Sequence, residues 1–236
     1  MQQRLRSSIA AVARYLPNRL ALVAAIAGAA ASLALFALID EHALEGEFAP
    51  FDRAVYGWLQ GLLPSALTTF FATVTVLGNT GVLLAVVATG GLVLLIRART
   101  LEAIVLLVTF AACALLVPVM KYAFGLQRPD ASGRLLDVSG PAFPSGHAAL
   151  ALAAYALLAY LLGRDGSRAV RVSALVAALA VAVLVGISRL VLGVHWLSDV
   201  LAGYALATVA VSLAILVVEN MRAPRLAPRA KVSSGP

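Results

Sequence analysis

Apolar residues along this chain come in long, nearly unbroken stretches, and each stretch ends at a short polar or charged segment. The first stretch, residues 20–39, is entirely apolar or small. Its length matches the roughly 20 residues a helix needs to cross the hydrocarbon of a bilayer. It exceeds the roughly 7–15 of a signal-peptide core, so an uncleaved first span is expected. An acidic segment, 40–52, stops it. Residues 53–63 follow as an amphipathic piece with Tyr56 and Trp58, aromatics favoured at the membrane interface. The run from Pro64 to Ile96 is too long for one perpendicular span. Gly78-Asn79-Thr80-Gly81 breaks it, which predicts an interfacial or re-entrant helix over 65–77 and a second span over about 79–96.

A third span is predicted over 101–122, with Pro118 as an expected kink. Residues 123–143 read as a polar loop, 147–162 as a fourth span, 172–187 as a fifth and 196–218 as a sixth, with a turn over 188–195 before it. The fold class expected is therefore all-α: an integral membrane bundle of six helices over 20–218. It is flanked by a basic N-terminus, 1–19, and a basic, proline-containing tail, 219–236, that reads as disordered.

Composition agrees. The chain is 62% hydrophobic and 12% charged, against roughly 45–50% apolar in soluble domains. A soluble fold of this size would have more apolar surface than it can hide. The net charge of +7 raises the question of a nucleic-acid partner, but the cations are not gathered into a nucleic-acid-binding patch. They sit in short clusters between spans, where they encode membrane orientation. Six spans put Arg4, Arg6, Arg14 and Arg19 on the same side as Arg97, Arg99, Arg164, Arg168 and Arg171 and the tail's Arg222, Arg225, Arg229 and Lys231. Arg53, Lys121, Arg128, Arg134 and Arg189 fall on the other side. The richer side is expected to face the cytoplasm, so both termini would be cytoplasmic in a plasma (inner) membrane. The single cysteine, Cys113, lies in an apolar run and reads as a packing residue.

Three polar stretches then fall at one end of the bundle, the outward one: KYAFGLQRP (121–129), PSGH (144–147) and SRLVLGVHWLSD (188–199). Charge at a membrane-helix end is expensive unless it is paired or snorkels, yet three of the five outward cations sit inside these stretches. Arg128 and Arg189 can grip phosphate oxygens in a planar, bidentate way, and Lys121 acts as a point charge. Ser145 and Gly146 stand at a helix start, where free N–H groups and the helix dipole favour an anion. His195 and Asp199, four apart, share a helix face. The carboxylate can hold one ring nitrogen of His195 and aim the other outward as a nucleophile. His147 is placed to protonate a departing alkoxide.

Blander readings stand beside these. Lys121 and Arg53 can be simple helix-end anchors, and His195 with Asp199 a helix-start hydrogen bond without chemistry. Ser188 either binds phosphate or caps a helix, Arg134 either reaches the site or is a plain loop charge, Trp196 and Tyr122 read as interfacial anchors over ligand stackers, His42 as a solvated residue, and Gly125 and Gly193 as turn formers. A metal centre from His147, His195 and Asp199 is chemically conceivable, but Lys121, Arg128 and Arg189 beside it would repel a divalent ion. No glycine-rich nucleotide loop is present.

Taken together, Lys121 with Arg128-Pro129 (K-x6-R-P), Pro144-Ser145-Gly146-His147 (P-S-G-H), and Ser188-Arg189, His195 and Asp199 (S-R-x5-H-x3-D) resemble the signature of the type 2 phosphatidic acid phosphatase superfamily, with every position filled. The resemblance implies a metal-independent phosphatase that needs no cofactor, with a phosphohistidine formed at His195 and oriented by Asp199. It implies His147 as the acid and Lys121, Arg128, Ser145, Gly146 and Arg189 as the phosphate-binding residues. Membrane members of the family act on lipid phosphates and diphosphates such as phosphatidate, phosphatidylglycerol phosphate and undecaprenyl diphosphate. The expected partners are thus a lipid phosphate and the surrounding membrane lipids, with no nucleic acid. A phosphoryl or phospho-headgroup transferase of the same fold, or a non-catalytic lipid-phosphate carrier, are the competing functions. Substrate and oligomeric state stay open at this point.

Overall fold

A computed structural model of the chain describes residues 21–39, 49–62, 65–130 and 133–222. The expected basic N-terminus, His42 and all but the first residues of the expected tail lie outside the described residues. Among the described residues eight α-helices follow one another. They are α1 (Ala21–Ile39), α2 (Ala49–Leu62), α3 (Ser65–Val74), α4 (Thr80–Ile96), α5 (Thr100–Phe124), α6 (Gly146–Gly163), α7 (Arg168–Val191) and α8 (Leu197–Arg222), with a short 3-10 turn, Thr75–Gly78, between α3 and α4. Five of them, α1 and α5 to α8, are long and apolar enough to cross a membrane; α3 and α4 together make a further candidate, bent by 49° at the break. This is a multi-pass membrane protein.

The break falls at the polar tetrad that the hydropathy pattern singles out. Asn79 ends the 3-10 turn in an extended conformation and accepts the Gly81 N–H at 2.9 Å, capping α4. Helix α5 runs through Pro118 and ends where Gly125 takes the left-handed conformation (φ 64°), its N–H closing onto the Lys121 carbonyl. Two expected boundaries move. The turn before α8 is shorter than the sequence suggests, because Ser188 and Arg189 belong to the last turn of α7. Helix α8 continues to Arg222, so residues 219–222 of the expected tail are helical. In both places the polar residues that suggested an ending find partners inside the bundle.

Helix α6 is the axis of the fold and packs against α4, α5, α7 and α8. Its Ala149, Ala151, Ala153, Ala154 and Ala156 are all buried, and such small side chains let membrane helices approach closely. Larger apolar residues point the other way: Leu115 and Val119 on α5, Leu92 on α4 and Val176 on α7 are exposed, as a lipid-facing surface requires. Helix α1 is joined through Phe36, whose ring lies 5.9 Å from that of Phe143.

The two ends of the bundle differ. At one end, Arg99 pairs with Glu102 (3.3 Å) and Asp165 (2.9 Å), and Arg164 pairs with Glu219 (2.8 Å), tying α5, α6 and α8 together. At the other end, the C-termini of α5 and α7 meet the N-termini of α6 and α8, and all three polar stretches converge.

Candidate active site

The short loop from Leu192 to Trp196 that joins α7 to α8 is folded back on the end of α7. The N–H groups of Leu192, Gly193 and Val194 donate to the carbonyls of Ser188, Leu190 and Arg189, and Gly193 takes a positive φ (69°) that its lack of a Cβ permits. His195 follows, only 4% exposed, above Asp199 at 1%. Asp199 Oδ2 accepts from two groups at once, the His195 Nδ1 at 3.0 Å and the Trp196 N–H at 2.9 Å. The far ring nitrogen, Nε2, lies 3.2 Å from Arg128 Nη1. A guanidinium can only donate, so Nε2 accepts, and the ring proton sits on Nδ1, facing the carboxylate. Burial, with Lys121, Arg128 and Arg189 close by, holds His195 well below the ordinary histidine range. The imidazole is neutral, and its lone pair points among the cations.

Those cations come from three elements. Lys121, in the last turn of α5, donates to the carbonyls of Pro141 (2.9 Å) and Ala142 (2.7 Å). Arg128 donates through Nε to Gly140 (3.0 Å), through Nη2 to Pro141 (3.2 Å) and through Nη1 to Val194 (2.8 Å). Arg189, 3% exposed, donates from Nη1 to Thr75 Oγ1 at 2.7 Å, while its buried Nε has no hydrogen-bond partner among the described residues.

The PSGH stretch faces them. Ser145 is fully buried and its N–H donates to the Asp199 carbonyl at 2.9 Å, so α6 and α8 start side by side. Its hydroxyl caps no helix N–H and has no partner among the described residues. The Ser145 hydroxyl and the Arg189 Nε–H, both buried and without a partner among the described residues, are donors of the kind that suits an anion. Gly146 opens α6, where first-turn N–H groups are free to bind an anion. His147, next along, lies within electrostatic reach of Arg189, His195, Lys121 and Arg128.

Every residue that the sequence singles out for the site is therefore in one cluster. Its neighbours were less legible. Ser188, open between phosphate binding and capping, does neither toward the pocket: its hydroxyl bonds back to the Val185 carbonyl at 2.5 Å inside α7. Arg134 holds its own loop through the carbonyls of Pro129 and Val138, and with Arg128 it lines an adjoining cavity of about 310 Å³. Trp196 does more than anchor. Its Nε1 donates to Gln127 at 3.0 Å and its ring packs on Tyr56 at 5.6 Å, joining the polar loop to α8 and α2. Thr75, which holds Arg189, carries no local signal because its partner lies 114 residues away.

The pattern of the PAP2 superfamily matches residues 102–223, a region that contains all three polar stretches. A phosphatidylglycerophosphatase B of Bacillus subtilis (strain 168) is 35% identical over 135 residues, 56% of this chain and 66% of that protein, so the chain spans just under two thirds of this relative's length. Among solved structures, a transmembrane PAP2-type phosphatidylglycerolphosphate phosphatase from Bacillus subtilis superposes with a TM-score of 0.79 at 27% identity, covering 84% of this chain and 98% of that one. Aquifex aeolicus LpxE shares the fold at a TM-score of 0.55 and 23% identity, over 70% of this chain and 93% of that one.

Proposed function

Because this chain belongs to the PAP2 superfamily, we propose that it is a metal-independent membrane phosphatase that hydrolyses a lipid phosphate or diphosphate through a phosphohistidine intermediate. Phosphatidylglycerol phosphate is the first substrate to test, since that activity is in the name of both the curated Bacillus subtilis relative and the similar solved structure from that organism. The observation that carries the reading is the neutral His195, with Nδ1 held by Asp199 and Nε2 turned toward Arg128.

In the proposed first step, Nε2 attacks phosphorus while the bond from phosphorus to the lipid oxygen breaks. His147 gives that oxygen its proton. In the second step His147 takes a proton from water, the oxygen of that water attacks phosphorus, and the P–N bond breaks to free phosphate and restore His195. Lys121, Arg128 and Arg189, with the Ser145 hydroxyl and the Gly146 N–H, hold the equatorial oxygens as charge redistributes. Asp199 stabilises the imidazolium character that develops on His195.

The membrane reading completes the proposal. The α3–α4 pair counts as one broken span, giving six; both ends of the chain lie in the cytoplasm and the site opens outward from the plasma (inner) membrane. The deciding assay is phosphate release by the purified protein in detergent with EDTA, using phosphatidylglycerol phosphate, phosphatidate and undecaprenyl diphosphate, each beside His195→Ala. Release from one lipid, abolished in the variant, is the expected result. Normal turnover by folded His195→Ala, or release that EDTA stops, would overturn the mechanism.

A further inference from the structure

The start of α8 carries the His195–Asp199 pair, yet it lacks the side chain that ordinarily holds a helix start. Trp196 precedes the first helical residue and has no side-chain oxygen to accept a first-turn N–H. Asp199 supplies only the return half of a capping box, reaching back to the Trp196 N–H. The forward half comes from another helix. Asp52 on α2, 6% exposed, accepts the Ser198 N–H at 3.0 Å through Oδ1 and the Ser198 hydroxyl at 2.5 Å through Oδ2.

The rest of α2 grips the same loop. Gln60 Nε2 donates to the Val191 carbonyl at 3.2 Å, and the Tyr56 ring packs on Trp196. The opposite face of α2 exposes Phe51 and Trp58, so the helix is held at one side only, through contacts on both ends of the His195 loop. Within that grip Asp52 alone bonds to the residue next to Asp199. Because it satisfies Ser198, the single Oδ2 of Asp199 stays committed to Trp196 and His195.

We propose that Asp52 is a positioning residue for the reaction: it caps α8 from α2 and so holds Asp199, and through it the His195 ring, in line for attack. This rests on the phosphohistidine reading above. The role predicts a loss in the chemical step rather than in substrate binding. It also predicts that the hydrogen bonds matter and the charge does not, since the amide of Asn can accept from the Ser198 N–H and donate to its hydroxyl.

The test is phosphate release from phosphatidylglycerol phosphate by the full chain in detergent, comparing wild type, His195→Ala, Asp52→Ala, Asp52→Asn and Ser198→Ala, with thermal melts of each. Asp52→Ala is expected to lower kcat by about 10²-fold, the scale set by misplacing a reacting group by about an ångström, with KM little changed. Asp52→Asn should recover most of that loss and Ser198→Ala should fall between. A folded Asp52→Ala with unchanged kcat, or a loss confined to KM, overturns the role, as does an Asp52→Asn as impaired as Asp52→Ala. Where Asp52→Ala does not fold, Ser198→Ala decides, and an unchanged kcat there overturns the role. Wild type that releases no phosphate from this lipid, from phosphatidate or from undecaprenyl diphosphate removes the phosphatase reading and this role together; wild type that releases it from one of them, with His195→Ala inactive, leaves the Asp52 series on that lipid to decide alone.

Discussion

At the scale of single residues, the proposed chemistry turns on how His195 is kept neutral. Its own burial first, and then Lys121, Arg128 and Arg189, hold it well below the ordinary range, and a histidine attacks only when unprotonated. The sign follows directly: as pH falls, His195 stays competent past the point, about 6.5, at which a free histidine would gain its proton. The acid limb of kcat/KM, which reports the free enzyme, is therefore expected below that value. Arg128→Gln removes one of the cations, so the limb should move to higher pH while the rate falls by about 10²–10³-fold for loss of a charge-stabilising donor. The substrate's own titration is common to both proteins, so the displacement between their pH profiles isolates the effect. A limb that stays in place in the variant would contradict it.

At the scale of elements, the break between α3 and α4 is part of the site and not merely a bend in a span. A Cβ added to Gly78 would sit 2.9 Å from His147 Cδ2 and closer still to Val185 Cγ1, so Gly78→Ala must push the histidine or the α7 wall aside. We expect kcat to fall by about 10-fold or more, within the range that small displacements of catalytic groups produce. Gly91→Ala on α4 is the control, because its Cβ would meet nothing nearer than 3.8 Å and its activity should be unchanged. Equal activity in both, measured as phosphate release, would remove the break from the site. The same elements explain what the sequence made legible. Cations, histidines and a helix-start glycine stand out against apolar helix ends, so the three polar stretches declared themselves. Thr75 and Asp52 did not, because each is an ordinary residue until a partner more than a hundred positions away meets it. Helix limits were blurred for a different reason. Leu, Val and Ala suit lipid and helix core alike, so hydropathy alone could not say that α7 carries on through Arg189.

At the scale of the whole molecule, the two ends are built for different surroundings. One carries the Arg99–Glu102–Asp165 and Arg164–Glu219 pairs, a structural clasp; the other carries the cations aimed into the pocket. The proposed orientation can be read with thiol labels, since the single native cysteine, Cys113, is buried and silent. In intact cells, a membrane-impermeant maleimide is expected to label Ser139→Cys at the site end and to spare Arg168→Cys at the clasp end. Both positions are exposed. The reverse pattern would turn the protein over and put its substrate in the other leaflet.

The carbonyls of Gly140, Pro141, Ala142 and Val194 that hold Lys121 and Arg128 have a consequence for turnover. Backbone oxygens already engage two of the three Lys121 N–H groups and three of the five on Arg128, so on the proposed reading an arriving phosphate enters in large part by exchange, and a departing one is displaced by the same oxygens moving back. The lipid keeps its hold through its tail, but inorganic phosphate has no tail. If the proposed function holds, such a pocket grips the substrate and sheds the product, which lets an enzyme rich in positive charge avoid being poisoned by the anion it makes.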